Sequence, residues 1–362
     1  FGMSLRDASA YNLQFVDARP VLIDTLSFER LPEGEPWAAY RQFCQHFLAP
    51  LALMARADVR LGQLLRIYVD GVPLDLAAGL LPRRARMRPG LFMHLVMHAK
   101  SQARHEADQE NPQTRKSRPF TARAFQGLLG SLEAAVTKLS WQPEKSVWTD
   151  YYGGCESYEP GALDHKKEVI EAILDRVRPK SVWDLGGNTG LFSRLATARG
   201  AHAVCFDADH SAVELNYRAA VEDGDKGLLP LVMDLSNPSP SLGWANAERM
   251  PLDQRGPADL ALALALVHHL AIGNNVPLER VAAWLRTLAP ALAIEFVPKQ
   301  DPEVQTLLAS REDIFPSYRE EGFEKAFAQH YSIEDRWNLK ASERTVYLMR
   351  ARSRRATLGS PP

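Results

Sequence analysis

From residue 181 to residue 299 the chain alternates short apolar runs with amphipathic stretches. SVWDL (181–185), HAVCFD (202–207), LLPLV (228–232), ADLALALALVHHL (258–270) and ALAIEF (291–296) are apolar with little alternation. That pattern suits parallel strands covered on both faces. Between them, SAVELNYRAAVEDG (211–224) and VPLERVAAWLRTLAP (276–290) carry apolar residues at helical spacing. Strands alternating with helices predict an α/β fold with an open, doubly wound parallel sheet. DRWNLK (335–340) and ERTVYLMRAR (343–352) alternate polar and apolar, which predicts a closing antiparallel pair. Upstream, a helix is expected from Asp164, capped by that aspartate, with apolar positions at 169, 170, 173, 174 and 177.

The first 140 residues have a different texture. PVLID (20–24) reads as a short strand, and residues 36–105 read as mostly helical, with Pro50 as a break. The division expected is therefore a mainly helical region over 1–140 and an α/β domain over 141–362. A chain of 362 residues with 46% hydrophobic content is large enough for two such cores.

The turn after the first long strand carries the chemistry. GGNTG (186–190) follows Asp184 and opens a helical stretch, LFSRLATARG. Glycines at 186, 187 and 190 let the backbone bend sharply and approach a ligand, and the helix start offers free N–H groups. The dinucleotide pattern G-x-G-x-x-G fails at Asn188, and the phosphate-loop pattern fails because no Lys follows Gly190. What stands is D-x-G-x-x-x-G, which resembles motif I of the class I S-adenosylmethionine (SAM)-dependent methyltransferases. Asp207, about twenty residues on at a strand tip, is placed to accept ribose hydroxyls.

The resemblance covers about residues 145–352 and implies a Rossmann-like methyltransferase sheet with SAM as cofactor. It assigns cofactor contacts to Asp184, Gly186, Gly187, Asn188, Gly190, Asp207 with Ala208, and Asp234 with Leu235, the last two near the adenine. It also implies a lid from the segment before motif I. Tyr151, Tyr152 and Tyr158 would face the sulfonium there, and Lys166 or Lys167 the methionine carboxylate; Tyr152 and Lys167 are the residues assigned. His268 and His269, just past the fourth strand, are the candidate general bases, since imidazole titrates near neutrality. Glu295, at the end of the fifth strand, either binds an acceptor hydroxyl or amine or pairs with a nearby Lys or Arg.

Several classes are set aside. A [DN]-P-P-[YF] tetrad is absent after the fourth strand, which argues against amine methylation of a nucleobase. Cys155 and Cys205 are not placed for cysteine-based RNA methylation. A net charge of −1 gives no global field toward nucleic acid or membrane, and no apolar run approaches the length of a bilayer span. Cys44, Cys155 and Cys205 form no CxxC pair and read as reduced thiols of a cytoplasmic protein.

Asp7 and Asn12 are spaced like the Asp and Asn of a kinase catalytic loop, and PVLID ends in Asp24, where kinases hold a metal. The layout resembles the carboxyl lobe of a small-molecule kinase-like fold, without a His before Arg6 or a Phe-Gly after Asp24. The alternative is that these residues only cap turns. The abrupt start at Phe1 suggests that upstream sequence is missing. Residues 83–118 hold nine Lys or Arg against three Asp or Glu and are read as a solvated face and loop. His94 and His98 lie four apart, but no third ligand accompanies them, so no metal is assigned.

LIDTLSFE, PWAAYRQFCQHFLAPLAL, VWDLGGNTGLFS and IEFVPKQDPEVQTLLASREDIF together resemble a bacterial methyltransferase group related to rhizobial nodulation proteins. The expected function is SAM-dependent methyl transfer to a small-molecule or glycoconjugate acceptor, at oxygen. The alternatives are a bifunctional kinase–methyltransferase and a non-catalytic SAM-fold interaction module. The oligomeric state is not assigned.

Overall fold

The computed structural model describes residues 2–31, 34–101, 120–144 and 161–352. The chain divides into two compact units, Phe1–Phe15 with Pro20–Gln142, and Val16–Arg19 with Pro143–Pro362.

Two small two-stranded ladders open the chain. β1 (Met3–Leu5) pairs with β4 (Phe28–Arg30), and β2 (Leu13–Val16) with β3 (Arg19–Leu22). A helical core follows, built on α1 (Ala49–Arg56), α2 (Leu74–Leu80) and α3 (Ala122–Thr137). Leu48, Leu53, Leu74, Leu81, Leu95 and Leu132 form its buried centre. Pro50 does not break the helical run expected around it. The turn before it, Cys44–Leu48, widens into a π-helical turn, and α1 carries the proline in its first turn. Proline clashes with the carbonyl four residues back, and a wider turn relieves that contact.

The second unit contains the expected sheet. Its strands are β5 (Ser181–Leu185), β6 (His202–Asp207), β7 (Leu228–Val232), β8 (Leu260–Ala263), β9 (Ala291–Phe296), β10 (Tyr331–Asn338) and β11 (Thr345–Ala351). The order across the sheet is β10-β11-β9-β8-β5-β6-β7. Strands β5 to β9 pair parallel, and β11 joins β9 and β10 antiparallel. This is the doubly wound, Rossmann-like methyltransferase sheet with its closing antiparallel pair. Side chains along β9 alternate between two cores: Leu292, Ile294 and Phe296 join one, Ala291 and Ala293 the other. Burial on both faces explains the continuous apolar runs. Helices α5 (Leu191–Thr197) and α6 (His210–Asp223) follow β5 and β6, and α7 (Leu278–Leu288) buries Leu278, Val281, Ala282, Leu285 and Leu288, one stripe at helical spacing.

Two boundaries differ from expectation. The helix before motif I, α4 (Ala162–Val177), starts two residues ahead of Asp164, because Gly161 at φ 92° turns the chain into it. Asp164 lies in the first turn and pairs with Lys167 at 3.1 Å. β8 ends at Ala263, well short of the apolar run, since Ala265 adopts a left-handed φ of 51°. Among the described residues, no helix is long and apolar enough to cross a membrane.

Candidate functional site

Strand order reverses between β5 and β8, so the loops leaving their carboxyl ends diverge and open a cleft. A cleft lies there. It is lined by Gly186 and Asn188 after β5, Asp207 to Asp209 at the end of β6, and Met233 to Ser236 after β7. Leu264 to Leu266, His269 and Leu270 line it after β8, and Lys166 of α4 completes the wall.

The glycine turn fits its place by close approach as much as by backbone angle. A Cβ on Gly187 would lie 2.4 Å from Cys205 Sγ and 2.7 Å from Asp184 Oδ2. Gly190 holds φ 81°, and a Cβ there would lie 2.5 Å from the Asn216 side chain. Asp184 sits beneath the turn, does not line the cleft, and accepts the Ser193 hydroxyl at 2.7 Å. Burial pushes its carboxyl up to about 6. It supports the loop from below.

Asp207 does face the cleft. One carboxylate oxygen accepts the Asn188 amide and the other the Asp209 amide, both at 2.8 Å. Burial raises its pKa, and those amides oppose the rise. The loop of β5 and the tip of β6 are therefore tied together at the cleft rim. Asp234 is exposed and accepts the amide and hydroxyl of Ser236, with Leu235 buried beside it.

The opposite wall is arranged differently. His269 lines the cleft, while His268 is fully buried behind it, the two rings 4.1 Å apart. Desolvation holds both imidazoles below their ordinary pKa, His268 far below, so both are neutral at pH 7. Arg311 holds the chain beyond them by donating to the carbonyls of Ile272 and Gly273.

Glu295 does not reach the cleft. It is fully buried, its Oε2 2.6 Å from Lys166 Nζ and 2.7 Å from the Ala265 amide. Of the two readings open from sequence, the structure has the ion pair. Lys167 points to the surface at Asp164, and its neighbour Lys166 lines the cleft instead. The sequence signal for this lay in helical phase: Lys166 precedes Val169, Ile170 and Ile173 on the buried face of α4. Tyr151, Tyr152, Tyr158 and Cys155 lie outside the described residues, as does 102–118 of the basic stretch.

In the first unit, Asp7 accepts the Ser9 amide and the Gln42 side chain. Asp24 caps a short turn through Leu26 and accepts the Ser27 hydroxyl, and Asn12 donates to that hydroxyl. These are the contacts of the turn-capping alternative. His94 is fully buried, with Tyr40 Oη on Nδ1 and Ser131 Oγ on Nε2, each at 2.8 Å. Among the described residues, no three His, Cys, Asp or Glu side chains are grouped to hold a metal ion.

No family model matches the chain. The nodulation protein NoeA of Rhizobium meliloti (strain 1021) is 38% identical over 349 residues, spanning 96% of this chain and 73% of NoeA. The chain belongs to the NoeA family. Among solved structures, this NoeA-family chain is similar to WbdD, at a TM-score of 0.38 and 18% identity over 60% of this chain and 46% of WbdD. It thus spans less than half of WbdD, which is described as a bifunctional kinase-methyltransferase. Magnesium protoporphyrin IX methyltransferase (ChlM) from Synechocystis PCC 6803, solved with bound SAH, matches at a TM-score of 0.38 and 17% identity over 56% of this chain and 93% of its own. The strand order and directions of the sheet themselves define the fold.

Proposed function

We propose that the cleft binds SAM and that the protein transfers its methyl group to a small-molecule or glycoconjugate acceptor, at oxygen. The observation that carries this reading is the pairing of Asp207 with the glycine turn at the switch point of the sheet. A half-buried carboxylate at a strand tip suits two vicinal ribose hydroxyls. Met233, Leu235, Leu264 and Leu266 supply apolar surface for a flat base. Lys166 offers a cation for the carboxylate of the amino-acid end.

SAM supplies an activated methyl group on a sulfonium, so the chain has mainly to align and desolvate. Gly187 and Gly190 permit close backbone approach, and Asn188 at φ 51° shapes the rim. His269 is the group on the cleft wall suited to take a proton from an acceptor hydroxyl, being neutral at pH 7. His268 packs behind it and is read as its support. We place this chemistry in the cytoplasm, a setting that suits the buried free thiols Cys44 and Cys205. Asp7, Asn12 and Asp24 are engaged in turn contacts, so the proposal does not extend to phosphoryl transfer.

Calorimetric titration with SAM and with S-adenosylhomocysteine (SAH) tests the reading. Binding that disappears in Asp207→Ala supports it, and no heat from the wild-type chain overturns it. Transfer of a labelled methyl group to a panel of hydroxylated acceptors, including glycoconjugates, separates an enzyme from a binding module. Loss of that transfer in His269→Asn with SAH affinity retained would assign the proton-accepting role.

A further inference from the structure

Glu295 sits at the centre of a buried alternation of charges. Lys166 and Glu295 have side chains 2% and 0% exposed and meet at 2.6 Å. On the far side, the fully buried Arg344 guanidinium lies 3.8 Å from Glu295 Oε1. Arg344 is itself held by Asp301 at 2.7 and 3.0 Å. Asp301 caps α8 (Pro302–Leu308) through the Glu303 amide. Two cations and two anions thus join α4, the end of β9, the start of β11 and the cap of α8, with no net charge.

The oxygen that binds Lys166 also accepts the Ala265 amide. Ala265 is a non-glycine residue in left-handed backbone, a conformation that persists only where surroundings hold it. It stands between Leu264 and Leu266 on the cleft wall. Lys166 leans over the Phe192 ring, 5.0 Å from its centroid, and lines the same cleft. One carboxylate therefore governs two features of the wall, a cation and a bend.

We propose that Glu295 is a positioning residue. It holds the Lys166 ammonium at the cleft wall and pins the Ala265 bend, so that the wall presents a fixed cation to a carboxylate-bearing ligand. Glu295 itself touches neither ligand nor acceptor. The ligand part of this inference rests on the SAM reading above; the bend does not.

The test uses the full chain with Glu295→Leu, Lys166→Met and the double variant. Without ligand, amide hydrogen exchange at Ala265 and Leu266 is expected to accelerate at least about tenfold in Glu295→Leu, beyond any global change at the β6 and β7 amides. Exchange that rises only in step with those strands would overturn the pinning role. With ligand, SAH is compared with 5′-methylthioadenosine, which lacks the amino-acid carboxylate. Glu295→Leu and Lys166→Met are expected to weaken SAH at least about tenfold and to leave methylthioadenosine within about threefold. In the double variant, an apolar pair replaces an ion pair, so the urea midpoint should recover while SAH affinity does not. If SAH affinity recovers with the fold, Glu295 is merely structural and the positioning role falls. Wild-type protein binding neither nucleoside would overturn the SAM reading, and the exchange measurement still decides the bend.

Discussion

Asp207 and Glu295 both end parallel strands of one sheet, yet they do opposite things. Asp207, at the tip of β6, is half-buried, faces the cleft and spends its oxygens on loop amides. Glu295, at the tip of β9, is sealed from solvent and spent on Lys166 and Ala265. What differs is what lies over each strand end. β6 ends beside a glycine turn, where the cleft is open. β9 ends beneath α4, whose lysine pairs with Glu295. In this sheet a strand-end acid faces the cleft or is sealed into its wall according to what lies above it.

The contrast breaks most visibly on the buried side. Glu295→Leu, which strands Lys166 without its partner, should cost about 3–5 kcal/mol, read as a fall in the urea midpoint. A change within experimental error would mean that Lys166 is already solvated and the pair is no wall.

The next effect concerns Asp184, whose carboxyl burial raises from an ordinary 3.8 to about 6. The folded state then binds more protons than the unfolded one between those values, so this group's contribution is favourable at low pH and is lost as pH rises through 6. Asp184→Asn, which still accepts the Ser193 hydroxyl, should gain on wild type by about 2 kcal/mol between pH 4 and pH 7. Parallel stability–pH curves for the two proteins would contradict that.

On the cleft side, Asp207→Ala should weaken SAH about 100-fold, close to 2.7 kcal/mol, while shifting the thermal midpoint little. A loss of fold comparable to Glu295→Leu would erase the distinction between the two acids.

The smallest effect sharpens the comparison from outside. Helix α4 also carries an exposed ion pair, Arg176 to Asp335 at 3.2 Å, with both side chains about half exposed. Arg176→Ala should cost no more than about 0.5 kcal/mol, because solvent screens the pair. A double-mutant cycle with Asp335→Ala measures it against the Lys166–Glu295 cycle on the same helix.

How much of this was legible in the sequence follows from the range of each interaction. The strands, α7 and the closing pair were readable because burial on one or two faces writes a local period. The glycine turn was readable because its spacing falls within five residues, whereas the distant neighbours it leaves room for, Cys205 and Asn216, were not. Glu295 was ambiguous, since its partner Lys166 is 129 positions away. Lys166 and Lys167 were indistinguishable as charges and separable only by helical phase. The end of β8 was misjudged, because an apolar run does not record where a left-handed alanine will turn it. Pro50 was misjudged as a break, because a wide turn upstream absorbed it.

By itself, then, the sequence determined the alternation of strands and helices, the glycine turn and the acid at the tip of β6. Each depends on residues close along the chain or on a repeating period. Only the tertiary structure decided which strand-end acid faces the cleft, which lysine joins it, and which histidine is reached from it. Those outcomes depend on which helix covers which strand end. Burial, charge pairing over more than a hundred residues and steric room settle that together.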